Sequence, residues 1–145
     1  MGDDGSIRDA KLTFAFAWIF VLFNYVYADI GSIFMVMSRP ETMARLQNGL
    51  YGSVALTQWV FIGGAVLMEI CIAMIPLSWL LGHKANRRAN IAAGTLFTLV
   101  ILFLLLGSGK APPLNFYTLL EVVEIVATAW IVWRAWRWKS PAAAA

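Results

Sequence analysis

Charge is what this chain has least of. Of its 145 residues only 13% are Asp, Glu, Lys or Arg, while 61% are apolar. A soluble domain carries about 25% charged residues. Disorder, which needs the opposite composition, is excluded, and a soluble globule would lack polar cover for its surface. Cysteine is reduced to Cys71, inside an apolar run. A lone cysteine excludes an intrachain disulfide, a thiol-redox pair and a four-cysteine zinc site, and reads as a small packing residue. The single His83, beside Lys84, excludes a bis-histidine haem within one chain. Phosphate loop, dinucleotide fingerprint and nucleophile–base pair are all missing, so no enzyme activity and no cofactor are expected. The net charge of +3 is small, and the basic residues sit beside apolar runs. That placement suits a lipid bilayer rather than a nucleic acid.

The apolar runs are what the chain does have. A membrane-spanning helix needs about 20 mostly apolar residues. Leu12 to Ala28 is free of charge and continues past Asp29 to Met37. Leu46 to Met68 continues past Glu69 to Gly82. Ala89 to Gly109 is uninterrupted, and Leu114 to Trp133 is broken only by Glu121 and Glu124. The expectation is an all-α, four-helix transmembrane domain over 12–137, with spans near 12–37, 53–81, 89–108 and 114–137. A short segment 1–11 precedes it and a tail 138–145 follows. Turn chemistry separates the spans: Ser38-Arg39-Pro40, then Gly82-His83-Lys84 with Asn86, then Gly107-Ser108-Gly109 before Pro112-Pro113. The tail Ala142 to Ala145 carries no chemistry.

Orientation follows from counting Lys and Arg. The N-terminus, second loop and C-terminus hold Arg8, Lys11, Lys84, Arg87, Arg88, Arg134, Arg137 and Lys139; the other two loops hold Arg39, Arg45 and Lys110. Eight against three places both termini in the cytoplasm of an inner (plasma) membrane protein, and an even number of spans agrees. Trp130, Trp133, Trp136 and Trp138, interleaved with Arg134 and Arg137, read as an interfacial anchor with indoles at headgroup depth. The competing reading of Leu12 to Phe23 as a signal-peptide core, cut after Val26-Tyr27-Ala28, is weakened by the apolar Ile30 to Met37 that follows.

Four acids lie inside the spans: Asp29, Glu69, Glu121 and Glu124. An isolated acid at a helix centre costs roughly 2.5–3.5 kcal/mol on insertion scales. No Lys or Arg lies in the middle third of any span, so these acids need protons, a cation, hydrogen bonds or a partner subunit. Helical spacing sorts them. Tyr25, Asp29 and Ser32 share one stripe, and Tyr117, Glu121, Glu124 and Thr128 share another. Gln58 and Glu69, eleven residues apart, nearly eclipse. Polar stripes in membrane helices usually face the bundle interior. At 1.5 Å per residue, Asp29 lies roughly 26 Å from the cytoplasmic start of its helix and Glu121 roughly 10 Å below the outer end of its own. Glu69 and Glu124 fall near the middle and are favoured as functional groups; Asp29 and Glu121 are shallow enough to be hydrated. A carboxyl removed from water resists ionisation, and a second one nearby adds to that. Tyr25 and Tyr117 can each donate to an acid one turn away. The plainer alternative is neutral acids that hydrogen-bond between helices and set their register.

Other features weigh less. Pro76 should kink the second span and free the Ile72 carbonyl. Gly63-Gly64 weakens that helix or admits a neighbour, and Gly94, Thr95 and Thr98 suit close packing of the third. Met35, Met37 and Met43 invite a Cu(I) thioether reading, but methionine is a common gap-filler. No metal is assigned.

The chain resembles a family of small bacterial four-helix membrane proteins catalogued as a domain of unknown function. The resemblance rests on Tyr25-x-Tyr27-x-Asp29, Arg88-x-Asn90-Ile91 and Tyr117-x-x-x-Glu121 before the Trp/Arg-rich end. It implies the four-helix fold and singles out Asp29 and Glu121 rather than Glu69 and Glu124. Small multidrug exporters also have four helices, but their signature glutamate in the middle of the first helix is missing, and the charge bias opposes dual topology. Four-helix thiol-quinone reductases are excluded by the single cysteine. Two functions compete. An accessory or scaffolding subunit, meeting a membrane-protein partner or another copy of itself, is favoured because four short helices leave little room for alternating access. The alternative is a proton- or cation-linked transporter or binding protein using the acids.

Overall fold

The chain is an antiparallel ring of helices, seen in a computed structural model that describes residues 3–51, 54–106 and 116–138. The elements are α1 (Asp3–Met37), α2 (Pro40–Gln47), β1 (Leu50–Tyr51), β2 (Val54–Ala55), α3 (Gln58–Leu80), α4 (His83–Leu106) and α5 (Phe116–Arg137). Four of them, α1, α3, α4 and α5, are long and apolar enough to cross a membrane. They pack in the order α1, α3, α4, α5, with α5 closing back on α1. The expected turn at Gly107 to Pro113, Lys110, Lys139 and the Ala142 to Ala145 tail lie outside the described residues.

Three boundaries differ from the sequence expectation. The first helix starts at Asp3 rather than Leu12, so most of the expected leading segment is helical. The second span starts at Gln58 rather than near 53. Thr57 caps it, its hydroxyl accepting the Val60 N–H at 3.4 Å. The apolar residues before Thr57 form a two-stranded hairpin instead, with Leu50 opposite Ala55 and Tyr51 opposite Val54. Apolarity alone cannot separate these two fates. The third long helix starts at His83, inside the expected loop, because the Asn86 N–H already finds the Gly82 carbonyl at 2.9 Å.

The connection after α1 is a small folded unit. Pro40 opens α2 at a position where its missing N–H costs nothing. Thr42 Oγ1 donates to the carbonyls of Val36 and Arg39, tying α2 to the end of α1. The chain leaves α2 through Gly49, at φ +73°, a left-handed conformation that glycine takes without strain. The hairpin that follows brings Tyr51 back toward the bundle.

The core is aromatic at one end. Phe14, Trp18 and Val21 of α1 are fully buried with Cys71, Met74, Phe97, Ile131, Ala135 and Trp138 around them. Trp18 meets Phe97 edge-on at 5.6 Å, and Phe14 meets Trp138 at 5.4 Å. Between α4 and α5 the backbones come close. Gly94 lies against Val132 and the Thr128 carbonyl, and the hydroxyls of Thr98 and Thr128 meet at 2.8 Å.

Candidate functional site

Beyond Trp18 the aromatic core gives way to a cavity of about 300 Å³ lined by α1, α3, α4, α5 and the hairpin. Its polar lining comes from helical stripes. α1 contributes Tyr25, Asp29 and Ser32, α5 contributes Tyr117, Glu121 and Glu124, and β1 contributes Tyr51. Its apolar lining includes Leu67, Val100, Ile101, Leu104 and Leu120. Among the described residues no Lys, Arg or His lines it.

Glu124 is the deepest of the acids. It is 4% exposed, and its Oε1 has no hydrogen-bond partner among the described residues. A buried polar atom without a protein partner marks a place where a water or ligand can complete the shell. The backbone of Glu124 is held by its own helix: its carbonyl accepts the Thr128 hydroxyl at 2.8 Å, which in turn meets Thr98 on α4. Glu121 is half-buried and Asp29 exposed toward the cavity rim. Among the described residues no three His, Cys, Asp or Glu side chains converge closely enough to hold a metal ion.

The cavity adjoins two grooves. One shares Tyr51 and Tyr117 with it and is bounded by Arg39, Glu41 and Arg45 of the α2 region. The other shares Tyr25 and Asp29 and runs sideways between α1 and α3, past Phe61 and Gly64. Tyr51 and Tyr117 therefore stand between the cavity and one end of the bundle. The hydroxyls of Ser32 and Tyr51 both lie within hydrogen-bonding reach of Tyr117. Behind Tyr117, Phe116 packs on Gly31 so closely that a Cβ at Gly31 would collide with its ring.

Of the six residues expected in an intramembrane polar cluster, five line this cavity: Tyr25, Asp29, Tyr117, Glu121 and Glu124. Glu69 does not. Its spacing with Gln58 does place both on one face, but that face is the outer one, and both are exposed. Periodicity reads which residues share a face; it does not read which way the face points.

The expected interfacial anchor divides. Trp130, Trp133 and Trp136 are exposed, and Arg137 lies over the Trp133 ring at 5.1 Å. Arg134 is half-buried. Trp138 is no anchor: it is buried, wedged between Phe14 and the His83 ring, whose centroid is 4.4 Å away. The end of α5 is secured from α4, where Arg87 donates to the carbonyls of Ala135 and Trp136 at 3.1 Å each. Lys11 does the same for Trp79 at the end of α3. Part of the basic cluster thus caps helix C-termini.

A polar ladder at this end escaped the sequence reading. Trp18 Nε1 donates to Asn90 Oδ1 at 2.8 Å. The Asn90 amide donates to the carbonyl and side-chain oxygens of Asn86, and the Asn86 amide donates to the Ser78 carbonyl. All four residues are fully buried. The available signal was Asn86 and Asn90, one turn apart at the head of an apolar helix. Cys71 sits beside them, its thiol 3.8 Å from the Trp18 carbonyl.

Residues 7–145 match a family of unknown function, DUF6326. No curated protein and no solved structure matches the chain.

Proposed function

We propose that this chain, which belongs to the DUF6326 family, is a non-enzymatic multi-pass membrane protein that binds a small organic cation in the carboxylate-lined cavity. The observation that carries this reading is Glu124. It is a buried acid whose Oε1 has no hydrogen-bond partner among the described residues, in a cavity lined also by Asp29 and Glu121 and, among those residues, by no basic side chain. Such a cavity attracts positive charge. The lining argues for the organic class. Metal ions need several converging oxygen ligands at short range, whereas apolar walls with three tyrosines suit an alkylated or aryl ammonium group. About 300 Å³ is at the small end of ligand sites.

The lateral groove at Asp29 and Tyr25 gives a lipophilic cation a route from the bilayer, and the tyrosine pair gives one from the end of the bundle. In this reading the basic end, with both termini, faces the cytoplasm of an inner (plasma) membrane, so Tyr51 and Tyr117 face outward. The cavity supports ligand binding over a purely scaffolding role, since Glu121 and Glu124 line it and Asp29 stands at its rim.

The test is titration of the purified protein in lipid nanodiscs with benzyltrimethylammonium, which keeps its charge at every pH, and with sodium chloride as control. Saturable binding of the ammonium probe, weakened by about tenfold or more in Glu124→Gln and untouched in Glu69→Gln, is expected. Binding that survives Glu124→Gln unchanged, or no binding of the probe at all, overturns the reading.

A further inference from the structure

The cavity and the groove outside its tyrosines differ in charge. Asp29, Glu121 and Glu124 line the cavity. The groove, about 390 Å³ in volume, is lined by Arg39 and Arg45 against, among the described residues, the single acid Glu41. Glu41 lies in the first turn of α2, where the helix dipole already favours a negative charge. The two guanidinium groups are therefore in excess. Arg39 also stands close enough to Tyr117 for its charge to act on that hydroxyl.

Tyr51 and Tyr117 belong to both spaces, so positive charge begins where the acid-lined space ends. Along α5, Glu121 lies one turn and Glu124 about two turns from Tyr117, a rise of roughly 6 and 10 Å. The interval is apolar: Met35, Val36 and Leu50 line the groove, and Leu120 lines the cavity. A bare cation entering this way meets two like charges before it meets an acid. A molecule that carries its own anion finds an opposite charge at each end. Arginine suits a carboxylate or a phosphate, because its planar fork matches two oxygens at once.

Resting on the cation reading of the cavity, we infer that its ligand is a zwitterion that spans both spaces. Its ammonium group lies with Glu124 and the neighbouring acids, an apolar spacer passes Tyr51 and Tyr117, and a carboxylate or phosphate lies with Arg39 and Arg45. The spacing selects among zwitterions: charges one methylene apart are too close to serve both ends. A free solute and a lipid headgroup can each present these groups.

The test compares ligands matched in everything but the anion. Protein in phosphatidylglycerol nanodiscs is titrated with 6-(trimethylammonio)hexanoate and hexyltrimethylammonium as the long pair. Trimethylammonioacetate and ethyltrimethylammonium are the short pair, and empty nanodiscs give the background. The long zwitterion is expected to bind about tenfold or more tighter than its cation, the worth of a bond to a charged donor. The short pair is expected to bind alike. Arg39→Gln with Arg45→Gln, its helical content checked by circular dichroism, is expected to bring the long pair together, and Glu124→Gln to weaken both its members. Phosphatidylcholine nanodiscs separate the two sources. Binding of the long zwitterion lost there assigns the site to a headgroup from the bilayer, and binding retained assigns it to a free solute. A carboxylate that adds nothing to the binding of hexyltrimethylammonium overturns this inference and leaves the cation reading standing. An advantage that the arginine variant keeps, or that the short pair shares, does the same. Failure of all four ligands to bind overturns the cation reading and the inference with it.

Discussion

The indole of Trp18 and the side-chain oxygen of Asn90 join α1 to α4 through a 2.8 Å hydrogen bond inside the core. Asn90 spends its amide on Asn86, and Asn86 spends its own on Ser78, so the bond to Trp18 is the ladder's link to α1. Trp18→Phe keeps most of the aromatic packing and leaves Asn90 Oδ1 without a donor. The expected cost is about 1–2 kcal/mol, between the mean for interhelical bonds in membranes and that of a stranded buried polar group. Asn90→Leu should cost more, because it also strands the Trp18 N–H and the Asn86 side-chain oxygen. Unfolding midpoints in mixed micelles check this. A double mutant no worse than the poorer single mutant is the signature of a shared bond.

Gly94 makes a second, purely steric prediction. A Cβ there would lie 2.7 Å from Val132 Cγ2 and 3.2 Å from the Thr128 carbonyl. A valine rotamer can yield, but a backbone carbonyl within a helix cannot. Gly94→Ala should therefore be mildly destabilising. Gly94→Val should force α4 from α5, breaking the Thr98–Thr128 contact, at a cost of about 1–3 kcal/mol. The same micelle unfolding assay reads it. Equal midpoints for wild type and Gly94→Val would mean that α4 and α5 are not packed this closely.

The number of long helices was legible in the sequence because apolar runs of sufficient length have few other uses. The family resemblance was legible as well, and residues 7–145 match a family of unknown function. What was lost shared one cause: composition carries no direction. Glu69 and Gln58 were correctly placed on a common face, yet their inward orientation was an assumption about burial. The run from Leu46 to Met68 hid the hairpin because Leu50, Val54 and Ala55 are as apolar as any helix residue. Asn86 read as turn chemistry and becomes a buried cap, since its role depends on Ser78 folding back against it. The cavity needed Tyr51, whose arrival depends on that hairpin.

Arg87 separates two explanations of the basic end. As one of several cytoplasmic cations it would be dispensable for orientation. As the donor to Ala135 and Trp136 it holds the last turn of α5. Arg87→Gln should leave a C-terminal green fluorescent protein fusion bright, as expected for a cytoplasmic terminus. It should still lower stability by about 1.5–3 kcal/mol, the range for bonds to a charged donor. A dark fusion in the wild type would reverse the orientation.

The mouth of the cavity turns on Gly31. The Phe116 ring sits where a Cβ of residue 31 would be, and it stacks edge-on with Tyr27 at 5.5 Å and with Tyr117 at 5.5 Å. Gly31→Ala must push that ring outward, and α5 begins at Phe116, so the displacement passes directly to Tyr117 beside it. Tyr117 lines both the cavity and the groove outside it. The expected result is weaker benzyltrimethylammonium binding with helical content retained, the strain being worth about 1–3 kcal/mol. A compensating change distinguishes this from general damage: Phe116→Leu removes ring atoms from the point of collision, so Gly31→Ala with Phe116→Leu should regain most of the lost affinity. Gly31→Ala binding like wild type, or a double variant no better than Gly31→Ala alone, would detach Phe116 from the mouth and leave Tyr117 positioned by Ser32 and Tyr51.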